Sequence, residues 1–151
     1  MIATDRRPQE FRIGFLAGLI MLTVQYLLGI AVNLFVVVPT NHPGANPPEY
    51  FSGVAQSVTW AILHGPLLLV LHATFGLVLL VAASQLLYRA IRVRRRGLIW
   101  TTAIGAVAVL GAGFNGGSYL NYHQDFSSMI MASFLAVAVV AYATGLYISE
   151  A

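Results

Sequence analysis

The sequence predicts an all-α integral membrane protein, a four-helix antiparallel bundle forming one domain over residues 1–151, and three observations carry that expectation. First, 58% of the 151 residues are hydrophobic and 9% are charged, with a mean hydropathy of +0.79, whereas soluble proteins carry roughly 25% charged residues. A soluble unit of this length leaves about a third of its surface in water, so this much apolar surface calls for lipid as solvent. Second, four apolar stretches reach the length of about 20 residues that a helix needs to cross a bilayer. Third, all 8 cationic side chains are arginines. They form two clusters: Arg6, Arg7 and Arg12 ahead of the first stretch, and Arg89, Arg92, Arg94, Arg95 and Arg96 between the second and third.

The first span covers residues 13–38. Its apolar run is longer than the core of a signal peptide and no small-residue cleavage site follows promptly, so it reads as a retained anchor. The segment PTNHPGANPPEYFSG (39–53) is rich in proline and glycine and is expected to be irregular, with Tyr50 and Phe51 touching the head-group layer. The second span, 58–88, is overlong, which predicts tilt or protrusion with a kink at Pro66 near its outer end. An arginine-rich turn over 89–97 leads into the third span, 98–120, and a short connection at 121–126 into the fourth, 127–148. Short connections make successive spans antiparallel neighbours.

Arginines mark the cytoplasmic side of membrane proteins. That rule puts both termini and the 89–97 turn on the cytoplasmic side of the cell membrane and the segments 39–57 and 121–126 outside. The same clusters suit contact with anionic lipid head groups. They lack the interleaved aromatic residues of a nucleic-acid surface, so no nucleic-acid partner is expected. The absence of cysteine removes disulfides, thiolate ligands and iron–sulfur clusters from consideration. Glycines are concentrated at Gly14 and Gly18 of the first span and at Gly105, Gly111, Gly113, Gly116 and Gly117 of the third. They read as close helix packing, a homo-oligomer seam, or room beside a flat ligand.

Polar side chains within the spans are the candidates for function, because lipid offers them no hydrogen bonds. Counting at about 1.5 Å per residue puts His72 about 25 Å above the arginine boundary, level with Gly29, Gly113 and Ser133. Gln25 and Asn33 are eight residues apart, as are His64 and His72. That spacing leaves each pair about 80° apart on a helix, sharing a broad inward face. His42, His64, His123, Glu49 and Asp125 fall at the outer rim, where imidazoles and carboxylates could assemble a metal site.

The stretch QYLLGIAVNL (25–34) is similar to a Q-x-x-x-G helix element of the heme A synthase family, and LHATFGLVLLV (71–81), followed by an arginine-rich turn, resembles its histidine-bearing helix. The chain is similar to one four-helix half of that family. The resemblance implies heme binding, with His72 as an axial ligand to iron. The family's second histidine would fall early in the fourth span, where this chain has SSMIMASF (127–134), so Met129 or Met131 would take its place. The family's paired cysteines are absent.

Two functional expectations follow. One is a b-type heme bundle for electron transfer or heme handling, with His72 on the iron, His64, His123 or Met129 opposite, and Gly29 and Gly113 admitting the macrocycle. The other is an accessory or self-associating membrane subunit, a homo-oligomer or part of a larger membrane complex, whose polar residues serve helix packing. An outward-facing binder of a metal (through His42, His64, His72 or His123) or of a small ligand completes the set. No carboxylate lies mid-membrane and no nucleophile motif is present, so the reading leans away from an enzyme.

Overall fold

A computed structural model describes residues 7–149; Arg6 of the first arginine cluster, and both ends of the chain placed inside by the arginine rule, lie outside the described residues. Five α-helices follow one another: α1 (Arg7–Phe35), α2 (Tyr50–His64), α3 (Leu67–Val93), α4 (Arg96–Tyr122) and α5 (Asp125–Ile148). Four of them, α1 from Gln9 onward and α3, α4 and α5 throughout, are long and apolar enough to cross a membrane. The chain is a small multi-pass membrane protein.

The four long helices close into a ring in which α1 packs on α3 and α5, and α4 packs on the same two. Neighbours run antiparallel. Gly14 of α1 meets Leu86 of α3 while Gln25 meets His72; Gly97 of α4 meets Ile148 of α5 while Gly116 meets Met131. The connections explain the sharp reversals. At one end Arg94 adopts a left-handed conformation (φ 60°) and its N–H closes α3 on Ala90 and Ile91, leaving only Arg94 and Arg95 between α3 and α4. At the other end His123 does the same for α4 (φ 54°). We refer to these as the arginine end and the far end.

The main core lies within the ring and is built from Phe11, Phe15 and Leu22 of α1, Leu79, Ala83 and Leu86 of α3, and Tyr142 with its α5 neighbours. Outward faces stay apolar and open: Ile13 is 60% exposed, Leu27 58% and Val140 66%. Such belts on every long helix are the surface that bilayer hydrocarbon covers.

The second expected span differs from what forms. Residues 58–64 do not extend α3; they end the separate helix α2, and the chain breaks at Gly65 and Pro66, both extended. Pro66 lacks the N–H that would continue the ladder and forces its predecessor out of helical geometry. The proline therefore breaks the helix instead of kinking it, and the span begins at Leu67. At its other end α2 starts on Glu49, whose carboxylate accepts from the N–H groups of Phe51 and Ser52. The helix packs at the far end against α3 and α4, and the proline-rich segment is irregular over 39–49, as expected, turning helical only from Tyr50.

Candidate functional site

Two polar clusters are built by the fold, one in the α1–α3 seam and one beneath α2. In the seam, Gln25 Nε2 lies 3.4 Å from His72 Nε2 and donates to the His72 carbonyl at 3.3 Å. Two glycines make this close approach feasible. A Cβ on Gly29 would stand 3.2 Å from His72 Cε1, and one on Gly76 would stand 3.1 Å from Gln25 Nε2. The α1 glycine receives the α3 side chain and the α3 glycine receives the α1 side chain. Gln25 Oε1 and His72 Nδ1 are left buried without hydrogen-bond partners.

The far-end cluster is denser. Asn121, fully buried near the end of α4, presents its amide to α2 and to the loop before it. In the orientation that satisfies both amide atoms, Nδ2 donates to Ser57 Oγ (2.6 Å) and toward the carbonyls of Gly44 and Gly53 (3.2 Å each), while Oδ1 accepts from the N–H of Val54. The Asn121 carbonyl also accepts from the Asn46 N–H at 2.8 Å. Gly44 has a φ of +89°, a conformation that side chains disfavour, and Ser57 leaves no room for a Cβ there. Tyr50 reaches from α2 to Ser118 Oγ at 2.7 Å. His42 stacks on Trp60 at 4.3 Å between ring centroids, with Nδ1 2.8 Å from the Pro43 carbonyl and Nε2 3.0 Å from the Leu120 carbonyl. Neither His42 nitrogen faces open space.

The residues nominated from sequence separate under this geometry. Gly29 and His72 do meet. Gly113 does not join them: it is exposed, and a Cβ there would touch nothing within 4 Å. Ser133 is exposed and bonds back to the Met129 carbonyl in its own helix, and Met129 is 57% exposed. Asn33 is exposed near the end of α1, so it shares no inward face with Gln25. His64 and His72 stand on different helices, with His64 exposed at the end of α2 beside Trp60 and Pro43. His42 and His123 approach to 6.0 Å between ring centroids, and His123 Nε2 is buried and unpartnered. Glu49 is spent on capping α2, and among the described residues no three histidine or carboxylate side chains gather as metal ligands.

Three features were not anticipated from sequence: the Asn121 network, α2 as a separate helix, and Tyr142. The Tyr142 ring crosses from α5 into a slot between Gly18 of α1 and Gly105 of α4; a Cβ on Gly18 would stand 2.6 Å from it. Phe15 packs edge-on against the same ring at 5.8 Å, in space provided by Gly145. The G-x-x-x-G pair at Gly14 and Gly18 is thus filled within the chain, by Leu86 and Tyr142. Comparison with protein-family models, with curated proteins and with solved structures finds no match. The resemblance to the heme A synthase family therefore rests on the two sequence stretches that suggested it.

Proposed function

We propose that the protein is a helical membrane subunit, seated with its arginine end in the cytoplasm, whose intramembrane polar residues lock helices together instead of forming a reaction centre. The observation that carries this reading is the far-end network, in which Asn121, Ser57, Tyr50 and His42 spend their hydrogen bonds between separate elements. The Gln25–His72 pair does the same for α1 and α3. The orientation is supported by Arg89, Arg92, Arg94, Arg95 and Arg96 at one end, since positive charge stays on the cytoplasmic side. The far end carries no lysine or arginine between residues 36 and 66 or at 121–126.

A b-type heme site is the second reading, and one observation favours it: His72 Nδ1 is buried and has no partner. The donor set fits it poorly. Nε2 faces Gln25, the Gly29 backbone closes on the ring edge, and Met129 and Gly113 look outward. The two readings part on a visible spectrum of protein purified in mild detergent from heme-replete cells, before and after dithionite. The packing reading expects no Soret band. A Soret band with sharpened reduced bands, lost in His72→Ala but kept in His64→Ala, would overturn it.

A further inference from the structure

His42, in the segment before α2, has both ring nitrogens on carbonyl oxygens: Nδ1 is 2.8 Å from the Pro43 carbonyl and Nε2 3.0 Å from the Leu120 carbonyl. A carbonyl only accepts. A neutral imidazole has one N–H, so it donates to one of the two and turns a lone pair on the other; an imidazolium donates to both. The ring is 6% exposed, so the unmet bond is not handed to bulk water.

Two further features favour the positive ring. Leu120 lies in the last turn of α4, whose final four carbonyls lack a helical N–H and carry the negative end of the helix dipole. The Trp60 indole lies flat on the imidazole, 4.3 Å between centroids and 14° between planes, and an indole face attracts positive charge. Burying a charge is costly where it is unpaired. Here two acceptors, a helix terminus and an aromatic face offset that cost, and the exposed Asn41 and Pro43 place water one residue away on either side.

We propose that His42 is a proton-operated latch: its protonated ring ties the segment before α2, the end of α4 and Trp60 of α2 together, so that acid at the far end fastens α2 to the bundle. The latch rests on the packing reading, in which His42 joins these elements, and adds that a proton controls the joint. Its stabilisation is fully present where the imidazole is protonated and is lost as the pH rises through its titration. The ionisable groups around it come from each neighbouring element. From α4 come His123, 6.0 Å away between ring centroids, and Tyr119 beyond it; from α2 comes His64, which borders the same shallow groove as Pro43 and Trp60. His72 of α3 is turned toward Gln25 and Gly29 of α1, Asp125 is exposed at the start of α5, and Glu49 is held by the N–H groups of Phe51 and Ser52. His123 Nε2 is buried without a hydrogen-bond partner, so a proton there gains no acceptor. Among the described residues none of these groups bonds to His42, whose ring is held by the two carbonyls and the indole.

The test uses the full chain in nanodiscs of one synthetic phosphatidylcholine, at about pH 5.5 and about pH 8.5, either side of the ordinary histidine value of about 6.5. His42→Gln is neutral at both and should lower Tm by about 2–4 °C more at the acid pH than at the alkaline one. Trp60 gives a second readout, because a protonated imidazole in contact quenches indole emission. In a chain carrying Trp100→Phe, His64→Leu and His123→Leu, Trp60 is the sole tryptophan and His42 the sole far-end histidine. Trp60 emission should then fall on acidification in a single titration. An equal loss of Tm from His42→Gln at both pH values would overturn the latch and keep the packing role of His42; no loss at either would overturn both. Trp60 emission that does not respond to pH would also overturn the latch, and should His42→Gln fail to fold, that emission decides alone.

Discussion

At the scale of single residues, Asn121 carries more inter-element bonds than any other side chain described. It ties α4 to Ser57 of α2 and to the Gly44 and Gly53 carbonyls, and both Asn121 and Ser57 are fully buried. Removing it strands several buried partners at once, and each stranded group costs about 1–3 kcal/mol. Asn121→Ala is therefore expected to lower stability by roughly 2–4 kcal/mol, read from reversible unfolding in mixed micelles; a loss below about 0.5 kcal/mol would contradict the role given to it. Gln25 and His72 behave differently, because their contact is long at 3.4 Å and leaves an atom on each side unpartnered. A double-mutant cycle with Gln25→Leu and His72→Leu should give a coupling near the average of about 0.6 kcal/mol for hydrogen bonds in membranes. A value several times larger would point to a tighter site than the geometry describes. That these two residues matter was legible in the sequence, since an amide and an imidazole amid leucines must find partners. Which partners they find was less so: counting residues along a helix gives height and not rotation. Gly113, at the height of His72, faces outward for that reason.

Helices are where glycine placement is decisive. Gly105 receives the Tyr142 ring, whereas Gly113, two turns on along the same helix, borders open space. Gly105→Val should destabilise the bundle severely, by about 2–4 kcal/mol or more, since the ring is held on several sides and overpacking shifts backbone. Gly113→Val should stay within about 0.5 kcal/mol of the parent, as surface substitutions do. Thermal unfolding of the two variants side by side checks the pair, and equal effects would contradict the assignment of inward and outward faces. Tyr142 itself was hidden in the sequence. Tyr147, a residue and a turn further along α5, is 78% exposed, and nothing in the local pattern tells the two tyrosines apart. The distinguishing signal is remote, in Gly18, Gly105 and Gly145, which become informative only once the helices are paired. Helix α2 was legible in hindsight from two local marks, the acidic cap at Glu49 and the Gly65–Pro66 pair. The unbroken hydrophobicity running from residue 58 onward masked them.

At the scale of the whole molecule, the long helices were legible because apolar runs of about 20 residues have few other folded forms. Their antiparallel order followed from short connections. Which pairs touch around the ring, and the lid that α2 forms over α3 and α4, depend on packing that one sequence does not encode locally. In the proposed arrangement the four long helices cross a bilayer with the arginine turn on the cytoplasmic side and α2 outside. The chain has no cysteine, so single-cysteine variants Ala45→Cys and Arg95→Cys give unambiguous labels. With a membrane-impermeant maleimide on intact spheroplasts, residue 45 should label at once and residue 95 only after permeabilisation. Immediate labelling at residue 95 with protection at residue 45 would invert the orientation, and immediate labelling at both would contradict a membrane-spanning bundle altogether.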